Sequence, residues 1–170
     1  MERSLAQPTR RKLLGLGTTA ALGALAWRLI GADDAAAVAT VSATFRLTDA
    51  EWRKRLSPQA YAVLRRASTE YPYTSPLDKE HRKGTFACAG CALPLYSSAT
   101  KFDSGTGWPS FYDHLPHAIG EHRDNSLGVE RTEVHCTRCA GHLGHVFNDG
   151  PRPTGLRYCM NGVAMTFKPA

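Results

Sequence analysis

Hydrophobic and polar positions follow two different periods along the chain. Between residues 61 and 67, Tyr61, Leu64 and Ala67 recur at the three-to-four-residue spacing of a helix face. From Thr85 onward the apolar runs are short, and glycine, proline, asparagine and aspartate separate them, which is typical of short antiparallel strands. The pattern therefore predicts a mainly β (α+β) domain, with short N-terminal helices packed at one end of antiparallel sheets.

Two helix starts can be read directly from polar residues. Thr48 and Glu51 have the spacing of a capping box, which predicts a short helix that runs to about Leu56. Ser57-Pro58 then predicts a second helix, because serine caps a helix and proline is favoured at its first position. Pro72 and Pro76 mark the end of the helical region.

Six later segments have the apolar and aromatic composition of strands. They are Phe86–Cys88, Leu95–Tyr96, Leu127–Val129, Thr132–His135, His145–Phe147 and Val163–Phe167. Asn148–Pro151 carries the residue types of a turn.

A separate apolar stretch, Leu13–Ala26, precedes the domain and follows Arg10-Arg11. A charged start, a short apolar middle and a small-residue exit indicate an export signal, and the paired arginines resemble those of the twin-arginine type. We therefore divide the chain into a signal at 1–37, a linker at 38–46 and a folded domain at 47–170. We expect export across the cytoplasmic membrane, to the periplasm; the alternative is an uncleaved segment that anchors the protein in the membrane.

The charge of the chain does not indicate a nucleic-acid partner. Lysine and arginine outnumber aspartate and glutamate by 21 to 15, and the formal net charge is +6. Nucleic-acid binding needs this charge to be clustered on one face with aromatic platforms, and the basic residues are instead dispersed. The short basic runs 53–55 and 65–66 are expected on solvated helix faces.

The five cysteines divide into two Cys-x-x-Cys pairs and a single residue, Cys159. The pairs are Cys88/Cys91 and Cys136/Cys139, and such spacing lets each tight turn direct two thiolates at one ion. We expect one structural Zn²⁺ per chain, with Gly90 and Gly141 giving the turns their backbone freedom. Two disulfides are the alternative, since export leads to an oxidising compartment. A thioredoxin-like redox pair would require a βαβ context that the pattern lacks.

Three motifs around these cysteines carry a family resemblance. They are Lys101–Phe111 (KFDSGTGWPSF), Gly141–Pro151 (GHLGHVFNDGP) and Leu156–Asn161 (LRYCMN). Together with both cysteine pairs, in order, they closely resemble the B-type methionine sulfoxide reductases, and the similarity runs from about Leu47 to Phe167.

The resemblance implies two antiparallel sheets with peripheral helices and reduction of the R epimer of methionine sulfoxide, free or protein-bound. It makes Cys159 the nucleophile and the four paired cysteines the zinc ligands. His142, His145 and Asn161 would be polar residues of the pocket, and Trp108 the wall against the substrate methyl group. We also expect Phe111 and Arg157 to bind substrate, and we expect the protein to be a monomer.

The residues themselves fit this chemistry. A cysteine thiolate is a soft nucleophile for sulfur, and imidazole titrates near neutral pH, so either histidine could protonate the departing oxygen. Arg157 would share a strand face with Cys159 and favour its anion, or else be a surface charge. With four cysteines holding metal, the sulfenic acid left on Cys159 would need an outside thiol, such as a thioredoxin-like reductant.

The chain departs from the family at three positions. Thr106 stands where many members have a second, resolving cysteine, and Met160 and Gly162 replace the Ile or Val and the Ser that are common after the nucleophile. The first change alters regeneration, and the other two alter the floor around Cys159.

Two other functions compete with a reductase. A non-catalytic zinc module would explain the cysteine pairs but neither Cys159 nor the Gly-Trp-Pro loop. A cysteine hydrolase would pair Cys159 with His142 or His145, and it would also need an oxyanion hole, which a sequence does not reveal.

Overall fold

The computed structural model describes residues 45–170. The helices are α1 (Asp49–Arg55) and α2 (Pro58–Arg66), and short 3₁₀ turns cover Pro76–Lys79, Ser98–Thr100 and Gly162–Ala164. The strands are β1 (Gly84–Cys88), β2 (Pro94–Ser97), β3 (Lys101–Phe102), β4 (Ser110–Phe111), β5 (Ile119–Asp124), β6 (Arg131–Cys136), β7 (His142–Phe147), β8 (Arg157–Met160) and β9 (Met165–Pro169).

The strands form two antiparallel sheets, as predicted. The smaller sheet has the order β2-β1-β9, and the larger has the order β3-β4-β8-β7-β6-β5. In the larger sheet β8 lies between β4 and β7, so its side chains are supported from both sides. This central strand carries Cys159.

Both predicted helix starts are confirmed. The Thr48 hydroxyl accepts from the Glu51 backbone N–H, and the Glu51 carboxylate accepts from the Thr48 backbone N–H at 2.7 Å, which completes the capping box. Ser57 caps α2 by accepting from Ala60, and Pro58 occupies the first position. The buried side chains of α2 pack toward β7, and a Cβ at Gly141, just before β7, would lie 2.8 Å from Leu64.

The core lies between the two sheets and is rich in aromatic rings. Phe86 of β1 meets Phe111 of β4 edge to face, with ring centroids 5.0 Å apart. Tyr96 of β2 stacks on the same Phe111 ring at 4.4 Å. Because none of the Phe111 side chain is exposed, it has no surface to offer a substrate, and its place is in the core rather than in a binding site.

Two predicted strands differ from those observed, and three strands, β3, β4 and β5, were not predicted. Leu127–Val129 forms the turn of the β5–β6 hairpin, with its two large side chains exposed. In Val163–Phe167 only the part from Met165 is a strand, because the residues before it close a 3₁₀ turn. β5 escaped prediction because its middle residues are exposed and polar, so it lacks an apolar run.

The predicted signal at 1–37 and most of the linker lie outside the described residues. Among residues 45–170, no helix is both long enough and apolar enough to cross a membrane.

Candidate active site

Cys159 lies at the meeting point of three strands. On β8 it pairs with Ser110 of β4 on one side and with His145 of β7 on the other. It is the one partly exposed cysteine among the five, all of which are free thiols. The register therefore puts an accessible sulfur beside a histidine.

A cavity of about 150 Å³ opens above Cys159. Trp108, His145 and Asn161, all predicted as pocket residues, line it together with Cys159. Four further residues complete the lining, none of them anticipated from the sequence: Thr69, Arg131, Gly144 and Phe147. The cavity thus combines aromatic walls with a thiol and an imidazole.

A β-bulge in β7 puts the two histidines of the His-x-x-His segment together. Residues three apart on a regular strand point to opposite faces. Between β6 and β7, Val134 pairs with Gly144 while His135 pairs with His142, so β7 carries one extra residue there. The extra residue returns His142 to the face of His145, and their rings lie 5.4 Å apart.

His142 is buried and bound to a carboxylate. Its side chain is 5% exposed, and Nδ1 donates to Glu133 Oε1 at 2.7 Å. The second oxygen of Glu133 accepts from Nε2 of His122, a half-exposed side chain, at 2.8 Å. Burial acts to raise the pKa of Glu133, but the hydrogen bond and the nearby histidines outweigh it and leave that pKa below its usual range.

His145, unlike His142, faces the cavity. Its Nε2 donates to Asp124 at 2.8 Å, and Asp124 also accepts from Arg131 at 2.6 Å. Hydrogen bonds from Ser126 and His145 lower the pKa of Asp124, so it is ionised at neutral pH. Burial lowers the pKa of His145, and the Asp124 carboxylate opposes that shift.

The thiol of Cys159 is subject to opposing influences. Burial raises its pKa, while the Thr106 hydroxyl, 3.9 Å from the sulfur, and the positive charge of Arg157 act to lower it. Arg157 itself is held in place: it donates twice to Asp149 at 2.8 Å and lies 4.4 Å over the Phe147 ring. Arg157 thus supplies charge near the thiol without lining the cavity.

Asn161 and Trp108 are both fixed by hydrogen bonds. The Asn161 amide donates to the Leu143 carbonyl at 3.0 Å, and its oxygen accepts from the Glu70 backbone at 2.9 Å. The indole N–H of Trp108 donates to the Glu70 carbonyl at 3.2 Å. Glu70, like Asp124 and Glu133, was not identified from the sequence, because each acts through a partner distant in the chain.

The four paired cysteines converge as a cluster between the two sheets. Cys88 ends β1 of the smaller sheet and Cys91 follows it, while Cys136 ends β6 of the larger sheet and Cys139 follows it. All four sulfur atoms are buried and lie within 4.8 Å of one another.

The spacing of these sulfurs fits a tetrahedral metal ion. A Zn–S bond of about 2.3 Å gives a tetrahedron whose edge is about 3.8 Å. The closest sulfur pairs are 3.5 Å (Cys91 to Cys136) and 3.7 Å (Cys88 to Cys139). Each of these close pairs joins one Cys-x-x-Cys turn to the other, as four ligands of a single ion would.

The left-handed backbone of the cysteine turns is supplied by alanine, not by the expected glycines. Ala92 (φ 59°) and Ala140 (φ 54°) close the turns by donating to the Cys88 and Cys136 carbonyls at 2.8 Å. Gly90 and Gly141 instead allow close packing, because a Cβ at Gly90 would lie 3.3 Å from the Trp52 ring and a Cβ at Gly141 would lie 2.8 Å from Leu64.

The chain matches proteins of a known family over most of the domain. Residues 56–169 match the SelR domain. Relatives named peptide methionine sulfoxide reductase MsrB include one from Agrobacterium fabrum, 53% identical over 72% of this chain and 91% of its own length. One from Pseudomonas putida is 56% identical over 70% and 90%, and one from Leptospira interrogans 51% over 71% and 93%. With its cysteine cluster and its cavity around Cys159, the chain belongs to the MsrB family of peptide methionine sulfoxide reductases.

Proposed function

We propose that this protein reduces the R epimer of methionine sulfoxide, carried in proteins or peptides, and that Cys159 is the nucleophile. The observation that carries the proposal is the convergence of Cys159, Trp108, His145 and Asn161 on one cavity. Its volume suits a single small side chain such as methionine sulfoxide, with the rest of the peptide left outside.

The Cys159 thiolate attacks the sulfoxide sulfur while a proton reaches the sulfoxide oxygen. The S–O bond of the substrate breaks, and the oxygen ends on Cys159 as a sulfenic acid. The substrate sulfur is reduced by two electrons and Cys159 is oxidised by two, so the step balances without a cofactor. His145 is the proton donor, since it faces the cavity and pairs across the strands with Cys159.

A fixed methyl site makes the reaction selective for one epimer, and the family resemblance identifies that epimer as R. Trp108, with its indole held by Glu70, offers an apolar face for the methyl group, and His145 offers a proton for the oxygen. If both groups are fixed relative to Cys159, only one configuration at sulfur directs the methyl group and the oxygen correctly at the same time.

Regeneration of Cys159 uses an outside thiol. The chain has five cysteines, and four of them form the buried cluster. Thr106 lies beside the Cys159 sulfur, where its hydroxyl cannot form a disulfide. A thioredoxin-like reductant therefore attacks the sulfenic acid directly, and the four clustered cysteines hold one structural Zn²⁺ throughout.

Turnover of separated epimers by wild type and by Cys159→Ser tests the proposal. We expect wild type to reduce the R epimer alone with dithiothreitol, and Cys159→Ser to be inactive although it retains its metal. One turnover without reductant should leave a sulfenic acid that a dione probe traps on Cys159. Reduction of the S epimer, or hydrolysis of esters by the same cysteine, would refute this assignment.

We further propose that residues 1–37 direct twin-arginine export and that the folded domain works as a monomer in the periplasm. The support is the Arg10-Arg11 pair before the apolar stretch at Leu13–Ala26. Replacing both arginines by lysine should retain the protein in the cytoplasm, because charge is kept while the signal is lost. Export that persists in this variant would reject the route, and sedimentation of the exported form tests the monomer.

A further inference from the structure

Glu70 contacts the active site with every polar group it has. Its backbone N–H donates to the Asn161 side-chain oxygen at 2.9 Å, and its carbonyl accepts from the Trp108 indole at 3.2 Å. Its two carboxylate oxygens accept from the backbone N–H groups of Gly162 (2.5 Å) and Val163 (3.0 Å). One residue therefore joins two walls of the cavity to the turn that follows Cys159.

The carboxylate of Glu70 is held by backbone groups rather than by a basic side chain. No ion pair within residues 45–170 includes it, and burial raises its pKa. The two N–H groups it accepts from are the first of the 3₁₀ turn Gly162–Ala164, whose N-cap residue, Asn161, makes no side-chain cap of its own. Glu70 supplies that missing cap from 92 residues away in the chain.

We call the four hydrogen bonds of Glu70, to Trp108, Asn161, Gly162 and Val163, the clamp. The packing around Gly162 leaves this clamp little freedom to move. A Cβ at this position would overlap the Ser75 hydroxyl and lie 3.3 Å from Glu70 Oε1. Ser75 is itself buried, and its hydroxyl accepts from the Leu77 N–H at 3.2 Å. The segment from Thr69 to Ser75 thus lies directly against the turn after β8, and a glycine at 162 is what allows this approach.

We propose that Glu70 is a positioning residue that fixes the distance between the Trp108 wall and the Cys159–Asn161 side of the cavity. This proposal rests on the proposed reduction of methionine sulfoxide for its kinetic consequence. Glu70 does not line the cavity and does not touch Cys159. It acts by anchoring its own backbone, from which Trp108 and Asn161 take their orientation.

The proposal separates substrate binding from thiol chemistry. Loosening the hydrogen bonds of Glu70 would let the indole move away from the position where it receives the methyl group. The contact that binds this methyl group is then weakened, and KM rises. The environment of the Cys159 sulfur comes from Thr106, Ser110 and Arg157, none of which contacts Glu70. Sulfoxide turnover should therefore suffer while the intrinsic reactivity of Cys159 stays unchanged.

Glu70→Gln is the sharpest test because it keeps the size of the side chain. Its amide turns one of the two acceptors into a donor that faces a backbone N–H, which breaks half of the anchor. We expect KM for the R sulfoxide to rise by about tenfold or more, with the rate of Cys159 alkylation by a small reagent unchanged. Gly162→Ala, which disturbs the other side of the clamp, should give the same separation. Glu80→Gln is the matched control, since Glu80 pairs with Arg82 away from the site.

Indole accessibility reports on the clamp even if the proposed reaction is wrong. In a Trp27→Phe background, Trp52 is 3% exposed, so acrylamide quenching follows Trp108. We expect Glu70→Gln to increase quenching and Glu80→Gln to leave it unchanged. Unchanged quenching and KM in Glu70→Gln would overturn the proposal, as would an equal loss of Cys159 alkylation and turnover. Absence of sulfoxide turnover in wild type, with increased quenching in the variant, would reject the reaction but keep the clamp.

Discussion

Cys159 differs from the other four cysteines in its surroundings. The clustered thiols are buried against one another, whereas Cys159 lies at the floor of a cavity between an imidazole and a threonine hydroxyl. Burial raises its pKa, so at rest much of it is a thiol, and it gains reactivity only where Arg157 and Thr106 favour the anion. At the scale of single residues, the neighbours of each cysteine therefore determine its reactivity, although all five have the same side chain.

Thr106→Cys should change how Cys159 is regenerated, from attack by an outside thiol to formation of an internal disulfide. The Thr106 hydroxyl is 3.9 Å from the Cys159 sulfur, so a thiol there would need only a small shift to form a disulfide. One turnover should then give a 106–159 disulfide in place of the sulfenic acid, as seen by mass spectrometry of digested protein. Thr106→Ser is the control and should still yield a trappable sulfenic acid; a trappable acid in Thr106→Cys would show that the two side chains diverge.

Asp124→Asn should move the alkaline limb of the pH–rate profile to lower pH. A histidine that donates a proton must be in its protonated, imidazolium form, so activity falls as pH rises through its pKa. Burial already lowers the pKa of His145, and the Asp124 carboxylate opposes this shift. Loss of that carboxylate lowers the pKa of His145 further. At a pH above this pKa, each unit of lowering reduces the protonated fraction of His145 about tenfold.

The control for this pH experiment is Glu130→Gln. Glu130 is an exposed carboxylate on the same hairpin and pairs with Arg123 at 3.4 Å. Its replacement should leave the profile of kcat/KM against pH in place. An unmoved limb in Asp124→Asn would mean that the donor is a group other than His145.

At the scale of elements, the site depends on the close approach of β7 and β8. Gly144 stands opposite Met160, and a Cβ there would overlap the Cys159 carbonyl and lie 2.9 Å from the Met160 methyl. The absence of a side chain at this position lets β7, which carries the histidines, lie against β8, which carries Cys159.

Gly144→Ala should therefore displace β8 and harm both stability and activity. Overpacking of this kind costs about 1–3 kcal/mol in the free energy of unfolding. We expect kcat/KM to fall by about tenfold or more, because Cys159 moves relative to His145. Thermal unfolding and steady-state kinetics measure the two effects. Gly128→Ala is the comparison: it also loses a glycine, at φ 73° in open space, and should keep its kcat/KM.

The sequence predicts those elements whose signals are local. The caps of α1 and α2 could be read because each lies within four residues of its helix. β5 could not, because its stability comes from pairing with β6 rather than from an apolar run. The bulge at Leu143 was hidden for the same reason, since it is defined only by its partner strand.

The residues of the site also divide into those that the sequence indicates and those that it does not. The division of the five cysteines indicated the metal cluster and singled out Cys159, and family resemblance indicated Trp108, His142, His145 and Asn161. Phe111 was misplaced because a motif shows which residues are near a site but not which way they point. Glu133, Asp124 and Glu70 act across 9, 21 and 92 residues, separations at which sequence patterns carry no signal.

At the scale of the whole molecule, the cysteine cluster joins the two sheets at the ends of β1 and β6. A structural zinc site supplies an apparent binding free energy of about 10–16 kcal/mol in small peptides. The total stability of a domain is about 5–15 kcal/mol. Binding of the proposed Zn²⁺ would thus be comparable to the entire stability of this domain. We therefore expect the aromatic core between the sheets to come apart when the metal is removed.

Metal removal should therefore expose the clustered thiols and unfold the domain at the same chelator concentration. With metal bound, a thiol reagent should modify one cysteine per chain, Cys159. After chelation it should modify all five. In Cys159→Ser the count should go from zero to four, which isolates the cluster from the nucleophile. Far-UV circular dichroism should lose its β-sheet signal over the same range of chelator concentration, because the proposed ion would hold the ends of β1 and β6 together. Four thiols that stay unreactive in a folded, metal-free protein would mean that packing alone holds the two sheets together.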